Sequence, residues 1–379
     1  MKIAMIGQKG IPATYGGVER HVEELAVRLV ERGHDVTVYT RPHYDRHNAR
    51  RPKPSRHPMY YRGVRLVQLP SIATKHLDAI SHVALCTAHA VESRADIVHY
   101  HAVGPALLCW IPRLFRQKTV VTIHAQDALR SKWGRFARFA LNCGEWMAVC
   151  APRATICVSE SLAAKLSRRY GRRVEFVPNG VVLVEESDDS ILAELGVERG
   201  AYILFASRLV PEKGCHYLIG AWEEAGRPLP LVMAGDSSFS PAYVERIKSM
   251  SGGSAVKFPG NIYGARLASL FRNATLFVLP SDLEGLPIVL LEALGYGVPV
   301  LASDIPPNCE VMGEIGKTFV AGDIGDLREK LRQCLAAAEE LKRDAGLAAS
   351  RIASRFDWDL ITQQTISVYT RVTGPGQHG

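Results

Sequence analysis

The sequence predicts an α/β protein built from two doubly wound parallel sheets, and three observations carry that reading. Short β-rich apolar runs alternate with amphipathic stretches along the chain, the alternation restarts after a turn-rich break near residue 179, and 379 residues suffice for two cores of ordinary size. In the first half, KIAMIG, VTVYT, VRLVQLP, IVHYHA, TVVTIH, ATICVS and VEFVPNG read as strands whose unbroken apolar character suits burial on both faces. Between the first two, Val18, Val22, Leu25, Ala26 and Leu29 recur at helical spacing and Gly33 supplies the stop, completing one strand–helix–strand unit. Segment 42–58 is polar, basic and proline-rich, so it reads as a mobile loop on the first domain.

Pro178-Asn179-Gly180 leads into the acidic, strandless EESDDS, which marks the domain boundary. Beyond it YILFAS, LPLVMAG, VKFPG, TLFVLPS and PVLASD read as strands, with helices near 215–225, 263–273 and 287–296. The expected organisation is a first Rossmann-like domain over 1–178 and a second over 179–355. A last helix in 356–379 is expected to cross back to the first domain and end in a frayed tail.

Hydrophobic residues at 47% and charged residues at 22% fit a globular protein and neither a disordered nor a membrane-spanning one. MKIAMIGQKG enters a strand at once without signal-peptide regions, so a cytoplasmic protein is expected. The eight cysteines lack C-x-x-C spacing and read as buried thiols, with no metal or catalytic role. Residues 1–178 hold 28 Lys and Arg against 13 Asp and Glu, a net +15, whereas 179–379 hold 18 against 25, a net −7. A basic half suits a nucleic acid, an anionic membrane surface or a phosphorylated substrate, and charge alone does not choose.

Three segments carry chemistry. After the first strand, Gly16 and Gly17 stand just ahead of a helix whose first amides can hold a phosphate or a polar sugar edge, although a tight turn explains them equally well. The G-x-G-x-x-G fingerprint of nicotinamide enzymes is absent there. In SRLVPEKG, Arg208 and Lys213 follow the strand YILFAS at the edge where doubly wound sheets bind ligands, and two cations there suit a diphosphate. In LPSDLEGLPIVLLEALGYG, Glu284 precedes a turn with Gly285, Pro287 fits the first helical position and Glu292 lies along the helix. Carboxylates accept bidentate bonds from sugar hydroxyls, and two of them unpaired in an apolar segment imply a ligand.

EGLPIVLLE with Arg208 and Lys213 resembles the E-x7-E motif and diphosphate-binding pair of the retaining glycosyltransferases of family four, which have the GT-B fold with the donor cleft between two domains. GIPATYGGVERHVEEL and HAQDALRSKWG resemble a subgroup that includes rhamnosyltransferases of polysaccharide assembly. The resemblance implies that Glu284 contacts donor-sugar hydroxyls, Glu292 the ribose, and the backbone through Gly285, Leu286, Pro287 and Ile288 the diphosphate. It implies further that Asn261 and Ile262 hold the base and His124 stands beside the donor sugar. Ala125 departs from the glycine usual there, and Asp127 is a candidate for orienting His124 or contacting the acceptor. No cofactor or metal is expected: the lone D-x-D, Asp357-Trp358-Asp359, reads as the capped start of the last helix.

The expected activity is retaining transfer from a nucleoside diphosphate sugar to a hydroxyl, on a glycan or lipid-linked acceptor in cell-surface polysaccharide assembly. Segment 130–147 places Trp133, Phe136, Ala137, Ala140 and Leu141 on one helical face, ringed by Arg130, Lys132, Arg135 and Arg138. That face suits peripheral contact with an anionic inner membrane surface, and it equally suits a core helix with a basic rim. Nucleic acid is not an expected partner, since aromatic interleaving is confined to this helix. The alternatives are a GT-B epimerase or phosphorylase, and a sugar-nucleotide-binding protein without transfer activity.

Overall fold

The computed structural model describes residues 1–13, 16–41, 59–72, 78–126, 135–237, 240–251 and 255–374, with backbone alone at 135–138. The chain divides into two compact units, Met1–Asn179 together with Trp358–Gly379, and Gly180–Asp357.

The first unit holds strands β1 (Lys2–Ile6), β2 (Asp35–Thr40), β3 (Met59–Tyr61), β4 (Val64–Gln68), β5 (Ile97–His101), β6 (Lys118–Ile123), β7 (Ala154–Cys157) and β8 (Val174–Phe176). They form one sheet in the order β3-β4-β2-β1-β5-β6-β7-β8, parallel throughout except for the antiparallel β3–β4 edge pair. The second unit holds β9 (Ile203–Ala206), β10 (Leu231–Ala234), β11 (Val256–Lys257), β12 (Leu276–Leu279), β13 (Val300–Ser303) and β14 (Lys317–Phe319), all parallel in the order β11-β10-β9-β12-β13-β14. The two doubly wound sheets expected from the sequence are therefore present.

Helices cover both faces of each sheet, which is why the strands carry few polar residues. Ile203–Ala206, Leu231–Ala234 and Leu276–Leu279 are buried at every position. In the second unit Phe205, Trp222, Met233, Leu301 and Phe319 belong to one core. Each such side chain contributes about 1.5–3 kcal/mol on leaving water. In the first unit the Gly17–Glu31 helix turns Val22, Leu25, Ala26 and Leu29 inward, as its spacing predicts, and Gly33 follows it at φ 81°.

The final helix, Trp358–Thr373, packs within the first unit: Trp358 is buried and the Tyr369 hydroxyl lies 2.7 Å from His99 Nδ1. The helix begins at Trp358 with Asp359 in its first turn, and the Asp359 carboxylate also accepts from Arg32 at 2.8 Å. The expected lipid-facing helix spans Arg135–Cys150, and there the side chains differ from expectation. Leu141 packs on the core, while Phe139 and Trp146 point outward at 67% and 52% exposure. Arg130, Lys132, Trp133 and the loop 42–58 lie outside the described residues. Among the described residues, no helix is long and apolar enough to cross a membrane.

Candidate functional site

Doubly wound sheets bind ligands where neighbouring strands leave the sheet in opposite directions, at the carboxyl ends of the strands. In the first unit that point falls between β1 and β5, and in the second between β9 and β12. Among the described residues, Gly16, Gly17 and His124 follow strands of the first sheet at their carboxyl ends, and Arg208, Lys213, Asn261, Ile262 and Glu284 follow strands of the second.

In the second unit Arg208 follows β9, exposed, and a short 3-10 turn Pro211–Lys213 comes next. Gly214 then takes φ 67°, and a Cβ there would collide with the carbonyl of Pro280 at the end of β12, so only glycine lets the two loops approach this closely. The approach delivers Lys213 Nζ to the Glu284 carboxylate. The two side chains are only 11% and 7% exposed, and Ser281 Oγ donates a second bond to the same carboxylate oxygen at 2.7 Å. Ser281 is held in turn, since its carbonyl accepts from Ser303 Oγ at 2.5 Å and Ser303 accepts from Asn308 Nδ2 at 3.0 Å.

This pairing corrects the sequence reading of Glu284 as a buried carboxylate waiting for a ligand. Lys213 already neutralises it, and a buried charge without such a partner would be several kcal/mol less stable. Pro287 is the N-cap of the Ile288–Gly295 helix and does not occupy its first turn. Pro287 lacks an N–H, so donors in this stretch come from Gly285, Leu286 and Ile288. Gly285 and Leu286 are buried, and Glu292, further along the helix, is 4% exposed. Asn261 and Ile262 follow β11, where Gly260 accepts from Gly235 N at 2.7 Å and so ties this loop to the end of β10. Asn261 is exposed and Ile262 half-buried.

In the first unit Gly7 leaves β1 at φ 120°, where a Cβ would strike the His101 carbonyl. The loop therefore lies against the end of β5. Gly16 caps the Gly17–Glu31 helix at φ 97°, with Gly17 as its first residue. The Glu19 carboxylate folds back against Gly16 and accepts from Lys9 N at 3.1 Å, while Glu23 accepts from Ala13 N at 2.6 Å. Two acidic side chains of one helix thus clamp the loop that precedes it and supply negative charge at the helix start.

His124 is the first residue after β6 and only partly covered. His101, the last residue of β5, places Nδ1 3.2 Å from His124 Nε2. His21, from the second turn of the Gly17–Glu31 helix, packs edge-on to His124 with ring centroids 4.7 Å apart, and its Nδ1 donates to Asn179 Oδ1 at 2.9 Å. His99 lies behind, 4.2 Å from His101 between centroids and bonded to Thr122 Oγ1 at 2.7 Å.

Burial holds all four rings neutral at pH 7, reinforced at His99, His101 and His124 by neighbouring imidazoles. His21 is lowered to about 4 and His99 to about 3, and His101 and His124 lie well below the ordinary value. The edge therefore offers polar, uncharged imidazoles. Sequence reasoning found His124 and missed His21, His99 and His101, whose positions 21, 99 and 101 show no common spacing. The available signal was that IVHYHA carries His101 one residue from its end and TVVTIH ends in His124, which matters once β5 and β6 are known to be neighbours. Asp127 lies outside the described residues.

The sequence model "Glycosyltransferase Family 4" matches residues 15–185, and "Glycosyl transferases group 1" matches residues 187–350. The chain is 27% identical to a glycogen synthase of Mycobacterium tuberculosis over 403 residues, covering 97% of this chain and 94% of that protein. It is 26% identical to a phosphatidyl-myo-inositol mannosyltransferase of Mycobacterium leprae, covering 95% and 94%. The solved structure of Anabaena Alr3699/HepE in complex with UDP-glucose shares the fold with a TM-score of 0.79 at 20% identity, covering 98% of this chain and 100% of that one. With both units matched and two Rossmann-like sheets in place, the chain belongs to the family-four type of glycosyltransferases with the GT-B fold.

Proposed function

We propose that the protein transfers a glycosyl group from a nucleoside diphosphate sugar to an acceptor hydroxyl, with retention of anomeric configuration and without a metal. The observation that carries this reading is the Lys213–Glu284 pair at the β9/β12 edge, a buried cation and carboxylate beside the start of the Ile288–Gly295 helix. A diphosphate matches the amides of Gly285, Leu286 and Ile288 together with Arg208 and Lys213, which stabilise the charge that develops on the leaving phosphate. Glu284 accepts from the donor sugar and Glu292 from the ribose, while Asn261 and Ile262 flank the base. That Anabaena HepE was solved with UDP-glucose supports a nucleotide-sugar donor.

No side chain is assigned as a nucleophile. The acceptor oxygen forms its bond to the anomeric carbon on the face from which the phosphate departs, and the acceptor proton passes to the leaving phosphate oxygen. His124, neutral, contributes a hydrogen bond to the donor sugar. Gly16 and Gly17 are assigned to a sugar edge, since Glu19 makes their helix start unfavourable to a second anion. Asp127 keeps its two candidate roles, orienting His124 or contacting the acceptor.

A lipid-linked glycan acceptor is the proposed partner, at an anionic inner membrane surface reached from the cytoplasm. It is supported by the net +15 of residues 1–178 and by the lipid acceptor in the name of the mannosyltransferase relative. The test is transfer by the purified protein across a panel of nucleotide sugars, with a lipid-linked and a free glycan acceptor, in EDTA and in magnesium. Equal turnover with and without EDTA is expected. Activity that needs added magnesium would contradict metal independence, and epimerised or phosphorolysed product without transfer would contradict the reaction class.

A further inference from the structure

We propose that His21, His101 and His124 form a binding site for one divalent transition-metal ion of the zinc class, and that an ion bound there inhibits transfer. The three residues come from separate elements, the Gly17–Glu31 helix, the end of β5 and the position after β6. One ring nitrogen from each lies within 4.8 Å of the others, the one grouping of three potential metal ligands among the described residues. Zinc binds imidazole nitrogen at about 2.0–2.1 Å in tetrahedral geometry, which sets two ligating nitrogens about 3.3 Å apart. His101 Nδ1 and His124 Nε2 are already 3.2 Å apart, and a ring nitrogen of His21 lies within 4.8 Å of a ring nitrogen of each.

The tautomer of His21 supports the assignment. The Asn179 amide oxygen only accepts, so His21 Nδ1 carries the proton and Nε2 keeps its lone pair. His21 is 3% exposed, and this buried Nε2 has no hydrogen-bond partner. An unsatisfied buried nitrogen on a ring oriented from behind by a carbonyl oxygen is the arrangement of a metal-ligating histidine with its supporting shell. Three neutral nitrogen ligands with no carboxylate select zinc, cobalt, nickel or copper and reject magnesium and calcium. The partly covered edge of His124 is the route in and leaves a fourth position for water.

The inhibitory consequence rests on the proposed role of His124 at the donor sugar; the binding does not. With Nε2 as the His124 atom that meets the sugar, an ion held on Nε2 displaces that contact. Cobalt titration of the EDTA-treated full-length protein, with no donor present, tests the site by its visible absorption. One equivalent with nitrogen-type spectra, displaced by zinc, is expected. His21→Gln and His101→Gln should each weaken binding about 100-fold, Asn179→Ala about 10-fold, and His216→Gln, in the other unit, not at all. Absence of stoichiometric binding would overturn the site. So would a thiolate charge-transfer band, which assigns the ion to a cysteine, or an affinity indifferent to both glutamine variants. Zinc should then inhibit transfer by the wild type reversibly with EDTA and spare His21→Gln. Zinc bound without inhibition would overturn the inhibitory role and the placing of His124 at the donor while leaving the site intact.

Discussion

Lys213→Met removes the cation from a carboxylate that is 7% exposed, and its cost can be worked from the surroundings. Breaking a buried pair by deleting one partner costs about 3–5 kcal/mol, because the remaining charge stays buried without compensation. Ser281 Oγ still donates to Glu284 at 2.7 Å, which places the cost near the lower end, about 3 kcal/mol. For a cooperative unit the size of Gly180–Asp357, about 2–4 °C per kcal/mol gives a fall of roughly 6–12 °C in Tm. Lys213→Met with Glu284→Gln removes both charges, so the double variant should recover most of that loss and remain inactive. Calorimetry on the four proteins of the cycle reads the coupling directly. A single variant melting with the wild type, or a double variant losing the sum of two large single losses, would refute the pairing as a stabilising contact.

The neutral histidines make the first unit acid-sensitive. His21, near 4, and His99, near 3, sit below the ordinary 6.5, so the unfolded chain takes up protons first. Stability is full above pH 6.5 and falls below it by about 1.4 kcal/mol per pH unit for each such group. His101 and His124 act in the same direction. The urea midpoint of metal-free protein should drop steeply between pH 7 and 5, and a flat profile would contradict neutral burial. Arg208→Ala, at an exposed position, should leave the unfolding free energy within about 0.5 kcal/mol of wild type while lowering kcat about 100-fold and weakening donor binding. A Tm loss with unchanged kinetics would make Arg208 structural.

Much of this was legible in the chain. Strands such as ILFA and LFVL are apolar on both faces because helices cover both sides of the sheet, and that pattern needs no knowledge of partners. The strands β3 and β14 escaped because MYY and KTF are short, largely uncovered edge strands and lack the apolar run that reveals a buried strand. Glu284 was visible as a carboxylate in an apolar segment, but its pairing with Lys213 depends on Gly214 passing the Pro280 carbonyl, a contact between loops 66 residues apart in sequence. The histidine cluster was hidden for a related reason. His101 and His124 become neighbours through β5–β6 pairing, and His21 joins them only when its helix packs on the sheet.

The most direct measurement is the stereochemistry of transfer, followed by proton NMR from the first turnovers with a nucleoside diphosphate α-sugar and a hydroxyl acceptor. A leaving phosphate stabilised by Arg208 and Lys213, with acceptor attack on the same face, predicts a new glycosidic bond of α configuration. Formation of the β-linked product, or consumption of the donor with no glycosidic product at all, would contradict it.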